Sequence, residues 1–161
     1  MQAEARIVDL GLELPPNPIV PPGIDIPFEW ARAVGDRVFL SGHGALDANG
    51  APAGPFGRVP TEVSLEDAQA SARSAALAML GELRRAIGDL DRVRAWLTMT
   101  TFVNAEPGYG QTTAVVNPAS RLLLDVFGDA GRHARAAIGV SALPLGLPVI
   151  LTAEVLIDGD A

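Results

Sequence analysis

Arg132, His133 and Arg135 cluster at the entrance to an apolar run, Gly131-Arg132-His133-Ala134-Arg135-Ala136-Ala137-Ile138-Gly139-Val140, and cationic side chains placed there can hold an anion. Alternation along a strand puts Arg135, Ala137 and Gly139 on one face and Ala136, Ile138 and Val140 on the other. An Arg above a face of small residues leaves room for a ligand, and its planar fork suits two-pronged binding of a carboxylate. Each residue also has a plainer reading. Arg132 reads as a solvated turn residue, His133 as a strand-entry or interface histidine, and Arg135 as a partner for carbonyls or a neighbouring acid.

The rest of the inventory narrows the chemistry. A chain of 161 residues is one domain with a real core. The formal charge of −7, with twelve Arg dispersed along the chain, argues against a nucleic-acid surface. There is no Lys, which excludes a lysine Schiff base, a phosphate-loop lysine and a lysine base. There is no Cys, which excludes a thiolate nucleophile, a disulfide or a cysteine-based metal site. With His43 and His133 the only histidines, no metal and no cofactor is expected. No apolar run of about eighteen residues appears, nor a basic segment leading into an apolar one, so the sequence reads as soluble and cytoplasmic.

These residues need elements to position them. Pro15-Pro16, Pro18, Pro21-Pro22-Gly23 and Pro27 make the chain before residue 28 an extended arm, 1–27, on a single domain covering 1–161. Phe28–Val34 and Arg37–Gly42 read as a hairpin about Gly35-Asp36. Ser64 caps a helix with an alanine-rich apolar face that stops at Gly88, and Val93–Val103 reads as a long strand. A second helix spans 112–127, its regular part starting near Asn117 or Pro118, with Asn117 as a possible cap. The Arg135 strand and a last strand, Val149–Ile157, complete the order ββ-α-β-α-ββ. Two helices on one face of a single sheet of five or six strands give an α+β fold. The apolar strands point to burial of the other face between copies of the chain.

Several short motifs, in order along the chain, carry a resemblance. They are Ser41-Gly42-His43, Gly88-Asp89-Leu90-Asp91-Arg92-Val93, Thr101-Phe102-Val103-Asn104, Val116-Asn117-Pro118-Ala119-Ser120, the Gly131–Arg135 block and Leu143-Pro144-Leu145-Gly146. Together they resemble the RidA/YjgF family of reactive intermediate deaminases, also labelled endoribonuclease L-PSP. The Leu10–Pro15 opening and the Gly-Arg-His-Ala-Arg block are similar to a longer subgroup of it. The resemblance implies a chorismate-mutase-like fold with a single mixed sheet, a homotrimer, and ligand clefts between subunits. It implies that Arg135 holds a substrate carboxylate, that Ser41 and Gly42 contribute backbone contacts, and that Asn117 lines the cleft, with His43 at its rim.

Three positions depart from the family pattern. Phe28 stands where a tyrosine is usual, Ala137 where a cysteine is frequent, and Thr152 where a glutamate orients water, preceded by Ile150 in place of another acid. Glu154 is the nearest acid, two residues on and on the same strand face as Thr152. Activation of water is therefore open among His133, His43 and Glu154, with Thr152 able to position a water but poor as a base. Two functions follow as expectations. One is hydrolysis of reactive enamines or imines to keto acids with release of ammonia. The other is a diverged protein that binds, condenses, isomerises or cyclises another carboxylate-bearing metabolite. Cleavage of RNA, implied by the family label, is disfavoured by the acidic balance.

Overall fold

Strand register sets which side chains share a face, and five strands form one sheet here in the order β1-β2-β5-β3-β4. β1 (Ala31–Val34) and β2 (Arg37–His43) pair as a hairpin whose turn includes Gly35 at φ 62°, a backbone conformation that favours glycine. β2 pairs antiparallel with β5 (Val149–Ile157), and β5 with β3 (Val93–Asn104). β4 (Ala134–Val140) runs parallel to β3 at the far edge, which makes the sheet mixed. A parallel pair needs a long crossover, and the connection here contains α3 (Thr112–Phe127). The computed structural model describes residues 2–159.

α2 (Leu65–Ile87) and α3 cover one face of this sheet. Ser64 Oγ accepts from the Asp67 amide at 3.0 Å, and α2 stops at Gly88, whose φ is 83°. The buried stripe of α2 includes Ala68, Ala72, Ala75 and Ala76, so its backbone can lie close to the strands; Met79, Leu80 and Leu83 then fill the wider end. Trp96 of β3 packs against Phe127 at a ring separation of 5.6 Å and closes the core beneath α3. Among the described residues no helix is long and apolar enough to cross a membrane.

Two expectations need correction. The segment 1–27 is not extended throughout, because Ala3–Asp9 forms a short helix, α1, which is a third helix beyond the two expected. So short a helix has little stability of its own. Tertiary contacts hold it instead: Ala3 and Ile7 are buried, Glu4 Oε1 accepts from the Leu90 amide at 3.1 Å, and Arg6 Nη1 donates to the Val126 carbonyl at 3.1 Å. α3 has the expected span, Thr112–Phe127, and the second correction concerns its regular part, which does not wait for Asn117 or Pro118 but runs through Pro118. Proline cannot donate to the carbonyl four residues back, that of Ala114. Gln69 of α2 supplies the missing donor, its Nε2 lying 2.9 Å from that oxygen. Gln69→Ala leaves a carbonyl without a partner and is expected to cost about 1–2 kcal/mol. Calorimetry would read this as a drop of a few degrees in melting temperature, and an unchanged value would refute it.

Among the described residues no helix lies over the opposite face of the sheet. Paired positions line up there as a row of Ile138, Phe102 and Ile150, a row of Ala136, Thr100 and Thr152, and a row of Ala134, Thr98, Glu154 and Phe39. Ile138 and Phe39 are 42% and 44% exposed on it.

Candidate functional site

Arg135 of β4 pairs with Met99 of β3, which in turn pairs with Ala153 of β5. Met99 and Ala153 are buried beneath the helices, so Arg135 belongs to the helix-covered face and reaches α3. Its Nη1 donates to Ser120 Oγ at 3.0 Å and its Nη2 to Asn117 Oδ1 at 2.9 Å. Asn117 and Ser120 are three residues apart on α3 and therefore share a helix face. Asn117 lies inside the helix, so it acts as a partner for Arg135 and not as a cap. Two of the five guanidinium N–H groups are thus used, both on neutral acceptors. Among the described residues no carboxylate pairs with Arg135. Burial pulls its guanidinium below the ordinary arginine range, and no acid offsets this. The neighbouring Arg132 is different: it is exposed and its Nε lies 3.2 Å from Asp129 Oδ1.

His133 extends the network. Its Nδ1 is 2.7 Å from the Gly131 carbonyl and its Nε2 is 2.9 Å from Ser120 Oγ. The close approach depends on Gly131, where a Cβ would sit 2.3 Å from the Leu123 carbonyl oxygen. With no side chain there, the turn presses against the end of α3 and carries His133 over Ser120. Ala137 shares the Arg135 face, and its carbonyl accepts from Thr112 Oγ1 at 3.3 Å. Ser120 is the site residue that sequence reasoning missed. Its signal was the three-residue spacing from Asn117.

Thr152 and Glu154 are not brought to this cluster. Thr152 pairs with Thr100 and Glu154 with Thr98, on the uncovered face, so both lie on the reverse of the sheet from Arg135 within the subunit. Thr152 Oγ1 donates to the Thr100 carbonyl at 3.4 Å, and Glu154 forms an ion pair with Arg37.

The remaining candidates gather at the far end of β2. Ser41 Oγ donates to the Glu29 carbonyl at 2.7 Å, and the Ser41 amide to the Trp30 carbonyl at 2.9 Å. Gly42 passes so close to β5 that a Cβ would meet Ile150 Cγ2 at 2.9 Å. Phe28 is 48% exposed and stands edge-on to Trp30, with ring centroids 5.1 Å apart. His43 is only 2% exposed, its Nδ1 lies 2.5 Å from the Ser41 carbonyl, and among the described residues its Nε2 has no hydrogen-bond partner. Burial lowers its pKa, with the Ser41 carbonyl opposing, so the ring is neutral at pH 7. A cavity of about 600 Å³ adjoins these residues, its lining including Ile19, Ile24, Phe28, Trp30, Leu147 and Ile150. β5 and β3 separate β2 from β4, a lateral distance of about 14 Å at normal strand spacing. Within one subunit these residues and the Arg135 cluster therefore do not meet.

Comparison with known proteins finds similar sequences and similar folds. The family model described as YjgF/chorismate mutase-like, putative endoribonuclease, matches residues 4–155. Protein TCP17 of Trypanosoma cruzi is 41% identical over 100 residues, a match spanning 62% of this chain and 62% of that protein's length. Among solved structures, Atu1372 of Agrobacterium tumefaciens, a protein of unknown function, superposes with a TM-score of 0.85 at 31% identity, covering 98% of this chain and 92% of that one. A putative endoribonuclease of Shewanella oneidensis superposes with a TM-score of 0.84 at 25% identity, covering 98% and 100%.

Proposed function

Because the chain belongs to the YjgF/chorismate mutase-like family, we propose that it hydrolyses small reactive imines or enamines of 2-oxo acids to the keto acid and ammonia, with the substrate carboxylate on Arg135. One observation carries this reading above the others. Arg135 is a partly buried cation held by neutral acceptors, and among the described residues no carboxylate neutralises it. A small carboxylate fits the unused N–H groups in a two-pronged, charge-assisted manner. The acidic chain offers no extended cationic track for a polynucleotide, and the charge of −7 repels one.

The site is completed between subunits of a homotrimer. Support comes from the two half-sites on separate strands and from the uncovered sheet face with exposed Phe39 and Ile138. A copy laid against that face and reaching past the edge strand β4 would bring its Phe28, Ser41 and Gly42 to the Arg135 of its neighbour. Those residues would wall the cleft and shed water from it, and Asn117 would offer the NH₂ group that its bond to Arg135 leaves free.

The test is ammonia release from freshly generated 2-aminoacrylate and 2-iminopropanoate. Acceleration over buffer is expected, and none at any protein concentration would overturn the hydrolytic reading. A second reading is favoured by the location of Thr152 and Glu154 away from Arg135. In it the same site binds, condenses, isomerises or cyclises another carboxylate-bearing metabolite. Thermal stabilisation by pyruvate without ammonia release would select it.

A further inference from the structure

Hydrolysis of an imine requires a group that takes a proton from water, and the candidates for that role can be sorted by position. Glu154 is ion-paired to Arg37 on the reverse of the sheet, and Thr152 has its hydroxyl on the Thr100 carbonyl. His43 is buried within its own subunit, with Nδ1 on the Ser41 carbonyl, and is closed off from a water in the cleft. Asn117 has no site that takes a proton, so among the described residues the groups of the Arg135 network that can pass one on are Ser120 and His133.

The directions of the hydrogen bonds in that network are fixed by chemistry. A guanidinium can only donate, so Ser120 Oγ accepts from Arg135 Nη1. A carbonyl can only accept, so His133 carries its proton on Nδ1 toward Gly131. In the neutral ring Nε2 is then bare, and Ser120 donates its hydroxyl proton to it across 2.9 Å. A hydroxyl hydrogen-bonded to an imidazole whose other nitrogen is anchored is the arrangement by which a serine is activated. The guanidinium at 3.0 Å adds a positive charge that stabilises negative charge on the same oxygen.

We infer that Ser120 and His133 are the proton-transfer pair of the Arg135 site, an assignment that rests on the hydrolytic reading above. The iminium acid lies with its carboxylate on Arg135 and C2 beside Ser120. A water oxygen bonds to C2 as the C=N π electrons move to nitrogen. The water proton passes to Ser120 Oγ while the Ser120 proton passes to His133 Nε2, giving a neutral carbinolamine and an imidazolium. His133 returns its proton through Ser120 to the amino nitrogen, and the C–N bond breaks with its electron pair going to nitrogen. The carbinol proton leaves with ammonia as ammonium, which leaves the keto acid on Arg135. Ser120 is the catalytic residue, touching water and substrate, and His133 acts through it.

The experiment compares wild type with Ser120→Ala, Ser120→Thr, His133→Gln and His133→Ala in two assays. One is ammonia release, and the other is exchange of the pyruvate keto oxygen with ¹⁸O-water, which uses the same addition of water without an imine. Pyruvate affinity is measured on each protein by calorimetry. Glutamine keeps an acceptor for Ser120 but cannot take its proton, so His133→Gln is expected to lose about a hundredfold in kcat, a typical general-base contribution, while its pyruvate Kd stays within about threefold. Ser120→Ala should fall similarly, Ser120→Thr should retain most activity, and added imidazole should restore rate to His133→Ala. A His133→Gln protein with full kcat, or one whose loss is wholly in pyruvate affinity, overturns the inference. Absence of ammonia release with oxygen exchange still dependent on His133 overturns the hydrolytic reading alone. Absence of both overturns both.

Discussion

Arg135→Gln is expected to abolish detectable binding of pyruvate and to lower kcat/KM for imine hydrolysis by at least about a hundredfold. The reason is the character of the lost contacts. Hydrogen bonds involving a charged group contribute about 1.5–3 kcal/mol each, and a guanidinium makes two to one carboxylate. Each 1.4 kcal/mol is about tenfold in affinity. Arg135→Lys keeps the charge but not the fork, and should fall between wild type and the glutamine protein. The same substitution is expected to leave stability unchanged or improved, which separates a ligand role from a structural one. Arg135 is partly desolvated without an acid to compensate, and a structural arginine so placed would gain little from its position. A glutamine can still reach Asn117 or Ser120. A melting temperature at or above that of wild type, together with loss of pyruvate binding, is the expected result. A fall in melting temperature with pyruvate binding intact would assign Arg135 to the fold and remove it from the site.

What could be read from the sequence depended on whether the information was local. The capped, alanine-faced α2 and the alternating β4 and β5 are written in periodicity, and so is the grouping of Arg135 with Ala137 on one strand face. α1 was not legible, because two buried side chains in seven residues make no pattern and its stability comes from contacts with distant residues. Pro118 argued for a helix break, and the sequence near it could not reveal that Gln69 on another helix replaces the lost donor. The location of Glu154 was hidden for a related reason. Alternation tells which residues of β5 share a face with one another, but the relation to Arg135 is set by pairing through β3, where Met99 stands beside both Arg135 and Ala153. Thr152 and Glu154 therefore share a face, on the reverse of the sheet from Arg135 within the subunit. Ser120 lay within a recognised motif, yet its role emerges only when α3 is packed over β4 and Gly131 lets His133 approach.

Ile138→Asp is expected to convert the proposed homotrimer to monomers and to lower turnover by about a thousandfold or more, although Ile138 is not among the partners of Arg135. Ile138 begins the row that continues through Phe102 to Ile150 on the uncovered face, and its side chain points away from the Arg135 side of β4. In an isolated subunit the site is 42% exposed, so an aspartate there can stay hydrated and the fold should survive. In a sheet face covered by another copy the carboxylate would be buried without a partner, at several kcal/mol for each subunit. Dissociation avoids that cost. It also separates the Arg135 half-site from the Phe28, Ser41 and Gly42 half-site, which one subunit holds about 14 Å apart across β5 and β3. Light scattering should report a single-chain mass, circular dichroism an unchanged helix and strand content, and calorimetry a weakened response to pyruvate. If the protein instead remained assembled, the uncovered face would not be the contact. If it became monomeric with full turnover, Arg135, Asn117, Ser120 and His133 would suffice, and the site would belong to one subunit.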